Sequence, residues 1–174
     1  MQKPVTLFNG KDLTGWHATG ENQWMVKDGI LQNPHKGSNL MTDESFNDFK
    51  LHIEFRYTEG SNSGVYLRGR YEVQIETNSA DEPLKNVYSA VYGFLAPTEI
   101  AAKKPGEWQG YDITLIGRMV TVVANGKTVI CNREIPGITG GAINSKEGEP
   151  GPLVIQGDEG GHIEYRNIVI TQAK

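Results

Sequence analysis

The chain has 174 residues, of which 37% are hydrophobic, and a formal net charge of −4 at pH 7. This length and composition predict one domain, residues 1–174, with a sizeable core. Nucleic acid is not an expected partner, because duplex binding needs a basic footprint and the Lys and Arg residues here are scattered. A membrane is not expected either, since no apolar run approaches the roughly 20 residues that span a bilayer.

The N-terminus and the cysteine content bear on the cellular compartment. Residues 1–6 lack an apolar region, so no signal peptide is predicted there. The chain is therefore expected to be either cytoplasmic or a trimmed mature form. Cys131, the only cysteine, excludes an intrachain disulfide and does not decide the compartment. We interpret it as a free, partly buried thiol rather than as a nucleophile.

Turn signals separate short apolar segments in the first part of the chain. Asp28-Gly29 lies between residues 23–27 and 30–33, an arrangement typical of a two-residue β-hairpin. Residues 43–48, after a further short strand, are predicted to form a loop or one helical turn. Residues 49–58 alternate between apolar and polar side chains, which predicts a half-buried antiparallel strand.

The next two strands, residues 63–68 and 71–76, are predicted to meet at Gly69-Arg70 in a hairpin with one apolar and one polar face. Successive strand side chains point to opposite faces. The polar face of the hairpin is predicted to carry Gly64, Tyr66, Arg68, Glu72, Gln74 and Glu76. A purely structural strand does not need an arginine, two carboxylates, an amide and a phenol together, so we interpret this face as a candidate site.

The second half of the chain continues the β-rich pattern. Residues 77–106 are irregular and too long for a simple connection, so they are expected to be functional. Strands within residues 111–131, with a turn at Asn125-Gly126, predict a meander. A Gly-rich loop, residues 136–152, precedes the last two strands. The final strand, within residues 162–172, is predicted to alternate, with Ile163, Tyr165, Asn167 and Val169 on one side and His162, Glu164, Arg166, Ile168 and Ile170 on the other. About a dozen short strands without a helical period predict an all-β, two-sheet antiparallel sandwich or jelly roll whose first and last strands pair.

The carboxylates of the polar face are the first candidates for chemistry. Glu72, Gln74 and Glu76 project from one side of a strand, about 7 Å apart per step. Glu72 and Glu76 are then too far apart to share a proton directly, but they suit opposite sides of a bound sugar. A solvated polar face is the alternative interpretation. Arg68 can either pair with Glu72 or hold an oxygen of a substrate with its fork of donors.

The histidines and aromatic residues give fewer indications. No two of the four histidines have metal-ligand spacing, so no metal site is predicted and no cofactor is expected. A structural Ca²⁺ held by loop oxygens stays open, because jelly rolls host such ions without a fixed motif. His162, at the entry to the last strand, is a candidate acid or base. Trp108 and Tyr92 flank the irregular loop and are candidates for a cleft wall, whereas Trp16 and Trp24 are predicted to be core residues.

Several segments, in order and with matching spacing, resemble one bacterial family. The matching segments include Asn62-Ser63-Gly64-Val65-Tyr66-Leu67-Arg68-Gly69, and residues 7–16, 24–31, 49–55, 71–75, 92–93, 104–108, 125–127 and 165–168. Together they extend over nearly the whole chain. The chain resembles the 3-keto-disaccharide hydrolase family, whose members have a concanavalin-A-like jelly roll similar to that of certain glycoside hydrolases.

This resemblance implies a carbohydrate substrate with a ketone at C3. The ketone acidifies the hydrogen at C2, so a base can remove that proton, and the C1 substituent then leaves by β-elimination. Addition of water completes a net hydrolysis. In this scheme Glu72 is the base, Arg68 stabilises the enolate oxygen, and Glu76 or His162 is the acid. The alternatives are a direct glycosidase using Glu72 and Glu76, a non-catalytic carbohydrate-binding module, and an interaction domain with a solvated polar face.

The resemblance also implies which residues contact the sugar and where this chain departs from the family. The expected sugar-binding residues are Asn62, Tyr66, Gln74, Glu76, Tyr92, Lys104, Trp108 and Gln156. Thr77 stands where the family usually has an aspartate, and Glu159 stands where members often carry a histidine. His162, three residues later, is the expected replacement for that histidine. For a trimmed mature form, the resemblance implies a periplasmic or secreted location, and nothing in the sequence bears on the oligomeric state.

Overall fold

The computed structural model describes residues 1–77 and 81–174, and its regular elements in those ranges are β-strands. The strands are β1 (Val5–Thr6), β2 (Trp16–Ala18), β3 (Met25–Lys27), β4 (Ile30–Asn33), β5 (Leu40–Phe46), β6 (Phe49–Tyr57), β7 (Asn62–Leu67), β8 (Tyr71–Glu76), β9 (Gln109–Ile116), β10 (Met119–Ala124), β11 (Lys127–Glu134), β12 (Gly151–Ile155) and β13 (Ile163–Gln172). Part of the irregular region predicted at residues 77–106, namely residues 78–80, lies outside the described residues. Within the described ranges, no helix has the length and apolar character needed to cross a membrane.

Two antiparallel sheets form the molecule. Sheet A has the order β11-β10-β9-β6-β13-β4-β3, with β1 paired to β13, and sheet B has the order β2-β5-β12-β7-β8. The predicted all-β, two-sheet jelly-roll sandwich is therefore confirmed. The predicted pairing of the first and last strands is also confirmed, since Val5 lies opposite Ile170. The hairpin around Asp28-Gly29 is present as the pair β3–β4.

The core lies between the two sheets and follows from the alternation of each strand. Every second residue of β6, from Phe49 to Tyr57, is buried. Tyr71, Val73 and Ile75 of β8 are fully buried as well, so the apolar face of the central hairpin packs inward as predicted. Aromatic rings fill much of the space, and the rings of Phe55 and Tyr111 meet edge to face at 4.9 Å between centroids. The predicted core positions Trp16 and Trp24 are buried.

Three local predictions are wrong. Residues 43–46 continue β5 instead of forming a loop or helical turn, because β12 pairs with them, Phe46 lying opposite Gly151. The simple alternation predicted for the last strand breaks at Asn167, which has a φ of 49° and lies in a register shift. As a result, Ile168 is buried and faces the core with Ile163. Cys131 is exposed rather than partly buried, because it lies on the edge strand β11.

Two loops are fastened to β8, the last strand of sheet B. Residues 87–95 cover its outer edge, where the Ser89 N–H donates to Gln74 O at 2.9 Å and the Tyr92 N–H to Glu72 O at 3.0 Å. Loop 136–150 approaches from the other end, and the Glu72 N–H donates to Thr139 Oγ1 at 2.9 Å. These bonds satisfy the backbone of an edge strand and leave the polar face of β8 between two loop walls.

Candidate functional site

The polar side chains of the central hairpin lie on the outer face of sheet B. Tyr66 is paired across the strands with Glu72, Gly64 with Gln74, and Asn62 with Glu76. The Gln156 N–H donates to Gly64 O at 2.9 Å, which places Gln156 beside this group, just after the end of β12. The structure thus brings together the predicted residues Asn62, Tyr66, Glu72, Gln74, Glu76 and Gln156.

Glu72 is the most unusual residue of this group. Its side chain is buried, with 5% exposure, although it is a carboxylate on an outer face. Its Oε2 atom has no hydrogen-bond partner among the described residues. Burial raises the pKa of Glu72 to about 7; a hydrogen bond from Tyr66 opposes this rise, and the nearby charge of Glu159 adds to it. A carboxyl group with such a pKa can take or give a proton near neutral pH.

Tyr66 lies next to this carboxyl group and acts as a hydrogen-bond donor. Its hydroxyl donates to Gly140 O, in loop 136–150, at 3.0 Å. Burial raises the pKa of the Tyr66 phenol well above its ordinary value, and the negative charge of Glu72 adds to the rise. The phenol therefore keeps its one proton, for which the Gly140 carbonyl and the Glu72 carboxyl group compete.

The turn after β12 adds a residue that the sequence motifs did not single out as part of the site. Asp158 Oδ1 accepts the backbone N–H groups of Asn62, Gly160 and Gly161, which fixes the turn. The Glu159 N–H then donates to Asn62 O at 3.1 Å, and Gln156 Nε2 donates to Glu159 Oε1 at 3.3 Å. The Glu159 carboxylate therefore lies on the same face as Glu72.

A cavity of about 270 Å³ opens at the end of this face. Its lining consists of Asn62, Gln74, Glu76, Leu84, Asn86, Val87 and Tyr92. One wall is thus apolar or aromatic and the other carries amides and a carboxylate. Tyr92 is 41% exposed, so its ring is accessible. A sugar has apolar C–H faces and polar hydroxyl edges, and this combination of walls suits both.

Arg68 does not lie on this face. It lies at the tip of the hairpin, and its φ of 52° is not that of an extended strand. Its side chain therefore does not follow the alternation of β7. Its guanidinium donates to Asn47 Oδ1 and to the backbone carbonyls of Gly117 and Glu147. It also lies over the ring of Tyr71, at 5.5 Å from the centroid, on the core side of the strand. The predicted grouping of Arg68 with Glu72 is therefore not found.

Three further predicted residues are also separated from Glu72. Trp108 lies between the guanidinium groups of Arg56 and Arg166, at 4.6 and 3.9 Å, on the outer face of sheet A. His162 belongs to the same face, with its Nε2 3.7 Å from Glu164 Oε1. Lys104 is exposed in the preceding loop, where its N–H donates to Glu107 Oε2. Since the two sheets lie back to back, the outer face of sheet A cannot contribute to a site on sheet B.

A histidine–aspartate pair occupies the other end of the outer face of sheet B. His17 Nδ1 and Asp43 Oδ1 are 2.6 Å apart, and both side chains are more than half exposed. His17 lies in the row of paired residues that continues through Met41, Val154 and Tyr66 to Glu72. Four strand spacings put it roughly 19 Å from Glu72 along the sheet.

In residues 1–77 and 81–174, no group of three His, Cys, Asp or Glu side chains is placed to hold a metal ion.

A jelly roll with carboxylate, amide and aromatic side chains on an open sheet face suits a carbohydrate ligand. The chain belongs to the family of 3-keto-alpha-glucoside-1,2-lyase-like domains, whose family model matches residues 3–171. The family resemblance inferred from the sequence segments is thereby confirmed.

Individual relatives agree with this assignment. A 3-keto-disaccharide hydrolase of Bacteroides thetaiotaomicron is 25% identical over 97 residues, which are 48% of this chain and 33% of that protein. The match thus spans about a third of the length of this curated relative.

Solved structures share the fold over the whole chain. A Parabacteroides distasonis protein assigned as a glycosyl hydrolase is 32% identical, with a TM-score of 0.83 over 98% of this chain and 84% of that chain. A second such protein from the same organism is 25% identical, with a TM-score of 0.77 over 99% of this chain and 100% of that chain. The carbohydrate-binding module CBM66 of Bacillus subtilis, at 11% identity and a TM-score of 0.55, covers 88% of this chain and 93% of that chain and shares the fold alone.

Proposed function

We propose that the protein cleaves the glycosidic bond of 3-keto-glycosides, with Glu72 transferring the proton on the outer face of sheet B. The observation that carries this proposal is the environment of Glu72. Its carboxyl group is buried, its Oε2 atom has no partner among the described residues, and its pKa is about 7. A structural carboxylate is normally paired, whereas an acid or base must present a free oxygen to its substrate.

The chemistry of a 3-keto sugar requires such a group. Removal of the C2 proton places the electron pair in an enolate with the C3 oxygen. Collapse of the enolate forms the C1=C2 double bond and breaks the bond from C1 to the leaving oxygen, which takes up a proton. Water adds across the double bond when the net reaction is hydrolysis. A group with a pKa near 7 is effective in either proton transfer, because both of its protonation states are populated at neutral pH.

The enolate oxygen needs a hydrogen-bond donor, and Arg68 cannot supply it from its position at the hairpin tip. Its guanidinium is held by Asn47 and by two backbone carbonyls. The donors beside Glu72 are instead the side-chain amides of Gln74 and Gln156. Neutral donors of this kind stabilise a developing oxyanion when they are held in place before the reaction.

A non-catalytic carbohydrate-binding module is the second candidate. The cavity with Tyr92 and Leu84 on one side and Asn62 and Gln74 on the other supports it, because these residues offer stacking and hydrogen bonds without proton transfer. The shared fold with CBM66 is compatible with this alternative. The two candidates differ in what they require of Glu72, since binding needs a hydrogen-bonding side chain and cleavage needs an ionisable one.

Incubation with 3-keto-disaccharides of several linkages, followed by detection of released sugar, tests the proposal. We expect release by the wild type and a loss of about 10²- to 10⁴-fold in kcat for Glu72→Gln, with substrate binding retained. Glu134→Gln, an exposed carboxylate on β11, is the matched control and should keep its activity. Binding of the sugars without any release by the wild type would favour the binding module instead.

A further inference from the structure

Glu72 and Glu159 are neighbouring carboxylates on the outer face of sheet B, and among the described residues neither forms an ion pair with a basic side chain. Glu72 lies on β8, and Glu159 lies in the turn after β12, held there by Gln156 Nε2. Within residues 1–77 and 81–174, the ion pairs formed by arginine, lysine and histidine involve other acidic residues. A structural pair of carboxylates would be expected to lie next to a cation. In the parts of the chain that the structure describes, neither Glu72 nor Glu159 has such an ion pair with a basic side chain.

The Glu72 carboxyl group lies in the room left by a glycine on the neighbouring strand. A Cβ built on Gly64 would collide with Glu72 Oε2, so the Glu72 carboxyl group lies directly over Gly64. Gln156 is one strand away on the other side, and its Oε1 atom is buried without a hydrogen-bond partner among the described residues. Two unpartnered acceptor atoms therefore border the same patch, and Glu159 adjoins it through the Gln156 amide.

We infer that Glu159 is a second catalytic carboxylate, which forms an acid–base pair with Glu72 on the outer face of sheet B. This inference rests on the proposed function and deepens it, because it assigns the proton transfers to two named groups. The strand spacing places the two carboxyl groups about 5 to 10 Å apart. A sugar ring fits between carboxyl groups at such separations, as in enzymes that cleave glycosidic bonds with two acidic residues.

The different environments of the two carboxylates assign their roles. Glu72 is buried and Glu159 is exposed. Burial favours the protonated form of a carboxyl group, and a neighbouring negative charge favours it further. The exposed Glu159 therefore takes the proton from C2, and the protonated Glu72 gives its proton to the oxygen leaving C1. The C2–H and C1–O bonds break, the C1=C2 bond forms, and the protons balance without an external reactant.

The groups that face Glu72 come from every element around it. They are Tyr66 on β7, Glu76 on β8 itself, Tyr92 at the rim, Glu159 in the turn after β12, and Tyr165 of β13 behind the sheet. Among them Tyr66 and Tyr165 keep their protons, because burial raises the pKa of both phenols well above the ordinary value. The charge on Glu159 is therefore the interaction that a single substitution can remove most cleanly.

Two measurements on the full chain test the pair. The first follows the titration of Glu72 by NMR of ¹³C-labelled carboxyl groups, in the wild type and in Glu159→Gln. We expect the Glu72 midpoint to fall by about half a pH unit or more in Glu159→Gln, because a neighbouring negative charge is removed. Glu134→Gln on the edge strand β11 is the control and should leave this midpoint unchanged.

The second measurement is the pH profile of kcat for cleavage of a 3-keto-disaccharide. We expect Glu159→Gln to lower kcat about 10²-fold or more with a small change in KM, and Glu159→Asp to retain part of the activity. An unchanged Glu72 midpoint, or a kcat of Glu159→Gln close to that of the wild type, would overturn the inference.

These two readouts separate the inference from the proposed function. If the wild type releases no sugar from any 3-keto-disaccharide, the proposed function fails, and the NMR titration alone decides whether Glu72 and Glu159 are coupled. If the wild type is active and Glu159→Gln is equally active, the proposed function stands and the second carboxylate is rejected.

Discussion

The carboxyl group of Glu72 lies directly over the Cα atom of Gly64, a diagonal neighbour on the adjacent strand, and a side chain at position 64 would collide with Glu72 Oε2. Gly64 is not in a left-handed conformation, so the glycine is required here by the close approach of a side chain and not by its backbone angles. The missing side chain makes the room that the Glu72 carboxyl group occupies. On the outer face of β7, Gly64 lies between the polar side chains of Asn62 and Tyr66, and its contact with Glu72 explains why this position has no side chain.

Substitution of this glycine should reduce activity by moving the carboxyl group. Gly64→Ala is expected to lower kcat on the order of 10²-fold, since a displacement of about 1 Å in a catalytic group has such an effect. Overpacking should also lower the free energy of unfolding by about 1 to 3 kcal/mol. Gly148→Ala is the control, because a Cβ at Gly148 meets open space. Steady-state kinetics and thermal unfolding of both variants check this, and full activity in Gly64→Ala would contradict it.

The raised pKa of Glu72 predicts a pH-dependent stability. The pKa rises from its ordinary value of 4.5 to about 7, mainly through burial, so ionisation costs more in the folded protein than in the unfolded chain. The wild type should therefore lose stability as pH rises from about 4.5 through 7, by up to about 3 kcal/mol. Glu72→Gln lacks this titration.

The quantity to measure is the difference in the free energy of unfolding between the wild type and Glu72→Gln. We expect Glu72→Gln to gain stability relative to the wild type between pH 4 and pH 8, although it loses activity. Denaturant unfolding at several pH values in that range checks the prediction. The Glu134→Gln variant should show no such trend, and parallel pH curves for wild type and Glu72→Gln would count against a buried, high-pKa carboxyl group.

Arg68 is expected to stabilise the fold rather than to take part in catalysis. Its guanidinium joins three loops through Asn47, Gly117 and Glu147. Arg68→Ala should lower the free energy of unfolding by about 2 to 4 kcal/mol, because charged hydrogen bonds are lost and buried carbonyls are left unpaired. At a temperature where it is folded, its kcat should be close to that of the wild type. Arg133→Ala, an exposed arginine on β11, is the control, and a large loss of kcat in folded Arg68→Ala would restore a catalytic role.

Two aromatic residues on opposite sheets should differ in their effect on sugar binding. Tyr92→Ala is expected to weaken binding up to about 10-fold, because the ring forms one wall of the cavity next to Gln74. Trp108→Ala should leave binding unchanged, since Trp108 lies on the outer face of sheet A between Arg56 and Arg166. Calorimetric titration with an unreactive disaccharide measures both. Weaker binding by Trp108→Ala, with binding by Tyr92→Ala unchanged, would place the sugar on sheet A and contradict a site on sheet B.

Local information in the sequence was sufficient to predict most strands and the polar face of the central hairpin. The alternation of Tyr71, Val73 and Ile75 with Glu72 and Gln74 depends only on strand geometry, so it could be predicted from the order of the residues. Arg68 could not be placed in the same way. Arg68 itself has a left-handed backbone conformation at the turn, which redirects its side chain. Neither composition nor spacing reveals that conformation.

Alternation, turn residues and family segments are properties of contiguous residues, so they were enough to predict an all-β jelly roll with a candidate site centred on Glu72. Which distant segments join Glu72 could be seen only in the folded molecule. Sheet order places His162 and Trp108 behind it and brings Glu159 beside it, since the pairing of β12 with β7 carries the following turn to the outer face of sheet B. That pairing joins residues about 90 positions apart in the sequence, and such long-range contacts depend on how the whole chain packs.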